Sequence, residues 1–117
     1  MTDSGLGWNV DSFSTARVIR PAGRVDESTA TEFADRLIEE IGAAAGDGKT
    51  VLALDLSEIA YMSSRGLRAW TWAQRSGDQN GIKIVLSEPN DVMREILANS
   101  RYVMIIQLID TTADAAA

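Results

Sequence analysis

The sequence predicts one α/β domain with a mixed, mainly parallel central sheet of four to five strands and about four helices, in the order β-β-α-β-α-β-α-β-α. Three observations carry this. Strand-like and helix-like hydrophobic patterns alternate from the second strand onward, which implies parallel strands joined by right-handed crossovers. The run Thr50–Leu56 is almost continuously apolar, as a central strand covered on both faces requires. Ala30, Phe33, Ala34, Leu37, Ile38 and Ile41 follow the i, i+3, i+4, i+7 spacing of a single buried helical face.

Taken in order, residues 1–7 are polar and contain glycine, and read as a flexible leader to a single domain spanning 1–117. Trp8–Phe13 alternates weakly and fits a first, edge strand. Arg17–Ala22 forms a second strand, expected to be short or at an edge because Pro21 cannot donate to a ladder. The break at Ser14–Ala16 suggests a hairpin. The first helix follows Asp26, with Thr29 and Glu32 matching a capping box and Asp26 and Glu27 placing negative charge near its positive end. It runs out at Gly46-Asp47-Gly48, ahead of the central strand. A second helix is expected over Gly66–Arg75, stopped by Ser76-Gly77 and the turn-rich Asp78–Gly81. Ile82–Leu86 is a short strand. Ser87-Glu88-Pro89 opens a third helix, with Pro89 in its first turn and Val92, Met93, Ile96 and Leu97 as its apolar face. Met104–Ile109 reads as the last strand. Asp110-Thr111 caps a short alanine-rich helix whose end, 112–117, frays.

Composition excludes much chemistry. The chain has 117 residues, 45% of them apolar, enough for a core of ordinary size. It has no cysteine and no histidine, so disulfides, Cys or His metal sites and triads needing either residue are ruled out. With two lysines, Lys49 and Lys83, and no spaced carboxylate pair, an enzyme is not expected, nor a cofactor. A net charge of −6 argues against nucleic acid or an anionic membrane as partner. No apolar run approaches the roughly 20 residues of a membrane helix, and the start lacks the pattern of a signal peptide. These features together predict a soluble cytoplasmic domain. Oligomeric state is left open.

Two stretches resemble functional loops. Ala43–Thr50 ends like a phosphate-binding P-loop, but its first glycine is replaced by Ala43. It also leaves a helix and enters a strand, the reverse of the order a P-loop needs. A helix end with a tight turn explains it. The other stretch, Asp55–Leu67, runs from the apolar strand through Tyr61–Arg65 into the second helix. It places Ser63, Ser64 and Arg65 where free backbone N–H groups favour an anion. The plainer possibility is that one serine caps the helix and Gly66 allows close backbone packing.

DLSEIAYMSSRGLRAW resembles the central motif of the STAS domain family, the anti-sigma factor antagonists. Ile19–Ala30 is similar to the family's segment ahead of its first helix, and Gly81–Leu97 to its closing strand, turn and helix. The likeness spans roughly residues 10–114. It implies a partner-switching regulator. The unphosphorylated protein binds an anti-sigma factor that is also a serine protein kinase, phosphorylation at the start of the helix ends that binding, and a PP2C-type phosphatase resets it. Aligned on Gly66-Leu67, the usual phosphoserine position holds Arg65, and the acidic residue two places earlier is Ser63. Ser64 is therefore the favoured phosphoacceptor, with Ser63 second. Arg65 either pairs with a phosphate on Ser64 or replaces the switch with a fixed charge. Asp26 matches the family's loop aspartate near the switch. The implied docking set is Asp26, Met62, Ser63, Ser64, Arg65, Gly66 and Arg68. Leu67 and Trp70 fit the buried stripe of the helix. Trp72 is either an exposed partner anchor or, more commonly for such a residue, packed on a neighbouring helix. Arg65, Arg68 and Arg75 give the helix a basic side. A different class of function, a STAS-type module binding a nucleotide or small apolar ligand without a phosphoswitch, is the alternative.

Overall fold

The structure, a computed structural model, describes residues 6–99 and the short strand at 108–109. The elements run β1 (Gly7–Ser12), β2 (Ala16–Val25), α1 (Ala30–Gly46), β3 (Val51–Asp55), β4 (Ile59–Met62), α2 (Ser64–Gln79), β5 (Lys83–Ser87), α3 (Asp91–Ala98) and β6 (Leu108–Ile109). The sheet is ordered β1-β2-β3-β5-β6, with β4 paired to the end of β2. Only the β1–β2 pair is antiparallel among the described strands.

Strand β2 is longer than expected and lies inside the sheet. Its residues Arg17–Ala22 pair with β1, Ala16–Ile19 with β3, and Gly23–Val25 with β4. Pro21 is tolerated because it falls between the two parallel ladders, where that side of the strand has no partner waiting for an N–H. The four-residue β4 is an additional strand that breaks the expected strand–helix alternation.

Side-chain alternation explains the two sides of the sheet. Ile19, Leu52, Leu54, Ile84 and Leu86 face α1 and α2, and join Phe33, Leu37, Ile41, Leu67 and Trp70 in one core. Val18, Ala53 and Val85 form a smaller cluster on the other side. At about 25 cal/mol per Å² of apolar surface, the larger cluster carries most of the stabilisation. Edge strand β1 is fastened to α1 through Trp8. Its ring meets Phe33 edge-on at 6.4 Å, its Nε1 donates to Glu40 at 3.1 Å, and the Arg36 guanidinium lies over it at 5.1 Å.

Several expected boundaries move. Leu6 is buried and Gly7 already belongs to β1, so these two residues are part of the folded domain. Ile38 (47% exposed) and Val92 (44%) lie outside the buried faces assigned to their helices. Helix α2 starts two residues earlier and continues through Gly77 to Gln79. Gly77 is a contact glycine: a Cβ there would stand 2.6 Å from Ile84 Cγ1 and 2.7 Å from the Ile82 carbonyl oxygen. The chain turns off after the helix at Gly81, whose φ of +74° suits glycine. Asn90 caps α3, its side chain accepting from the Met93 N–H at 2.9 Å, so Pro89 precedes the helix. The alanine-rich C-terminal helix and most of Met104–Ile109 lie outside the described residues.

Candidate functional site

The site is assembled where β2 and β4 end together. Leaving β3, the chain meets Asp55, a buried carboxylate that organises the turn. Its Oδ1 accepts from the Ser57 N–H at 2.9 Å and its Oδ2 from Arg20 Nε at 3.1 Å. The chain then pairs along β2 as β4, with Met62 beside Val25. Immediately afterwards the Ser63 N–H donates to the Val25 carbonyl at 2.8 Å. That bond fixes the entry of α2 against the residue preceding Asp26.

Ser63 is the N-cap, with extended backbone, and its Oγ accepts from the Gly66 N–H at 3.4 Å. It is half-buried. Ser64 is the first helical residue and is exposed, as is Arg65. Gly66 is buried because α2 presses on the strand ends here. A Cβ would lie 2.6 Å from Met62 Cγ and 2.7 Å from Val25 Cγ1. Met62 itself is only 4% exposed. The expected docking set therefore divides: Ser64, Arg65 and Arg68 reach the surface, whereas Met62 and Gly66 shape the turn from beneath.

Asp26 is held by its own loop. Its carboxylate accepts from the Ser28 hydroxyl at 2.7 Å and the Ser28 N–H at 3.0 Å, with Arg24 Nε at 3.7 Å. The Ser28 hydroxyl, then its amide, with lesser help from Thr29 and Arg24, hold the Asp26 carboxyl below the usual aspartate value. The predicted capping box does not form. Thr29 occupies the cap position, but its hydroxyl donates to the Arg24 carbonyl at 2.7 Å and accepts from the Asp26 N–H at 2.9 Å. It closes the loop instead of the helix. Asp26 and the Ser63–Arg65 turn thus share one end of the sheet, joined through Val25 and Ser63.

Two features carry no signal in the sequence. Arg24 lies over the Tyr61 ring at 4.7 Å, a cation–π contact that fastens the Asp26 loop to β4. The pairing of β2 with β4 makes it possible, and no local pattern announces that pairing. Beside the turn, Ala30, Thr31, Ala34 and Asp35 of α1 face Arg65, Arg68, Ala69 and Trp72 of α2 across a groove of about 360 Å³. Trp72 is 60% exposed, so it stands at this groove and is not packed into a neighbouring helix. Trp70, two residues before it, is fully buried. Among the described residues, no group of three or more Asp or Glu side chains could hold a metal ion, and no helix is long and apolar enough to cross a membrane.

Comparison with known proteins agrees with this architecture. An anti-sigma factor antagonist from Mycobacterium paratuberculosis is 23% identical, over 97% of this chain and 93% of that one, with a TM-score of 0.71. A Thermotoga maritima protein assigned to the anti-sigma factor antagonists is 18% identical over 92% and 90% of the two chains, with a TM-score of 0.77. The Bacillus cell fate determinant SpoIIAA, in its phosphorylated form, is 18% identical over 92% and 94%, with a TM-score of 0.61. At these identities the likeness speaks for the fold. Residues 8–115 match the model of the STAS domain family, nearly the whole length of the protein, and the chain belongs to that family.

Proposed function

We propose that this chain is an anti-sigma factor antagonist working by partner switching in the cytoplasm. Unmodified, it docks through Asp26, Ser64, Arg65 and Arg68 onto an anti-sigma factor that is a serine kinase. Phosphorylation of Ser64 releases it, and a PP2C-type phosphatase restores it. The observation that carries this reading is the position of Ser64. It is an exposed residue at the first turn of α2, beside a loop bearing Asp26, while the Ser63 hydroxyl is already engaged by Gly66. A phosphate adds roughly −1.5 to −2 charges. At a helix N-terminus the domain tolerates it, and an adjacent Arg65 favours it, whereas a docked acidic partner is repelled. Ser64 is substrate, not catalyst, and the nucleotide is the kinase's.

The test is capture of partners by the wild-type chain and by Ser64→Asp. Retention of a serine kinase by the wild type and its loss on substitution supports the switch. Equal retention by both removes Ser64 from it. The groove between α1 and α2 favours a second reading, a module for a small ligand. Trp72 on its wall makes fluorescence titration with nucleotides and lipids the discriminating measurement. Saturable binding without a protein partner would select that reading.

A further inference from the structure

The exposed surfaces of α1 and α2 carry opposite charges that do not meet within the molecule. On α2, Arg65, Arg68, Trp72 and Arg75 recur at three- and four-residue spacing and form one exposed stripe. On α1, Asp35, Ile38 and Glu39 are exposed in the same way. The N-terminal parts of both helices line the same groove, so the helices lie side by side and run in the same direction. The ion pairs formed among the described residues use Arg17, Arg20, Arg24 and Arg36, and leave out Arg65, Arg68, Arg75, Asp35 and Glu39. The groove holds the two stripes apart. Each also carries a large exposed apolar side chain, Trp72 on α2 and Ile38 on α1.

This arrangement is self-complementary. A two-fold axis laid along the groove places α1 of one copy over α2 of the other, with the two helices again running the same way. Carboxylates at Asp35 and Glu39 then meet guanidiniums at Arg68 and Arg75, and Ile38 faces Trp72. The same contacts form twice, as an isologous interface requires. We propose that this face binds a second copy of the chain, giving a charge-registered dimer in solution. The proposal does not depend on the phosphoswitch. Its consequence for that switch is direct, because the dimer covers Arg65 and the approach to Ser64.

The test is sedimentation velocity over a range of protein concentrations, at low and high salt, on the wild type, Asp35→Arg, Arg68→Asp and the double variant. The wild type is expected to dimerise with concentration and to dissociate as salt screens the paired stripes. Each single reversal sets like charges against each other and weakens the dimer by roughly tenfold or more. The double variant, with the signs exchanged, regains it. Circular dichroism on all four keeps misfolding out of the comparison. A wild type that stays monomeric throughout, a dimer indifferent to both single reversals, or a double variant no better than either single one overturns the proposal.

Discussion

Replacing a helical glycine by alanine has opposite consequences at two places in this molecule. Gly42 lies in the exposed interior of α1, and a Cβ there would meet nothing within 4 Å. Gly42→Ala should therefore stabilise the domain by about 1 kcal/mol, the helix-propensity difference. Gly66 gains less from propensity, being in the first turn of α2, and its new Cβ would stand 2.6 Å from Met62 Cγ and 2.7 Å from Val25 Cγ1. Val25 is β-branched and fully buried, and Met62, its ladder partner, is pinned by β4. Neither can step back cheaply, so overpacking of about 1–3 kcal/mol outweighs any gain. The two variants should differ by about 2–3 kcal/mol in opposite directions. For a domain whose total stability is on the order of 5–15 kcal/mol, urea unfolding resolves this through a shift in midpoint at constant slope. The same push tilts the start of α2 away from β2, so Gly66→Ala should also lengthen the Ser63–Val25 bond, seen as faster amide exchange at Ser63. If Gly66→Ala proves as stable as Gly42→Ala, the close approach at Val25 does not constrain the site.

Two further outcomes follow from the polar groups beneath the turn. Because Asp26 has a carboxyl pKa below its ordinary 3.8, its ionised form stabilises the fold at neutral pH. That contribution is present above the ordinary value and is lost as pH falls through the lowered one. Asp26→Asn should therefore be less stable than wild type at neutral pH, with the gap closing in acid; a gap unchanged down to acidic pH would contradict the assignment. Asp55→Ala removes the acceptor of both Arg20 Nε and the Ser57 N–H, and should cost about 2–3 kcal/mol in a chemical denaturation series.

What the chain discloses in its letters is mostly periodic. Ala30, Phe33, Leu37 and Ile41 could be placed in the core because a three- and four-residue spacing fits little besides a buried helical stripe. Ile38 and Val92 obey the same spacing but are exposed, since periodicity marks an apolar side of a helix without saying how wide a strip the neighbours cover. At Ile38 the covered strip has already ended. Strand β4 was invisible for another reason: Ile59 and Met62 are buried with Ala60 and Tyr61 exposed between them, a pattern without the two-residue period of a strand. Its existence depends on β2 extending past Ile19, a distant cause. Gly77 and Thr29 show a third limit. Both matched local rules, helix stop and capping box, and both are used instead by tertiary neighbours, Ile84 for the glycine and the Asp26 loop for the threonine. The serine turn was legible because a motif named it; that the half-buried Ser63 oxygen caps α2 while Ser64 stands exposed emerges only from the cap geometry.

The amide-to-carbonyl link between Ser63 and Val25, which continues the β2–β4 ladder, limits how this surface can diversify. It ties together two stretches distant along the chain, so adding or deleting a residue in either one would slide the serine turn out of line with the aspartate loop. Exchanging side chains on the rim leaves that tie intact, whereas changes of segment length at these two places would dismantle the rim itself.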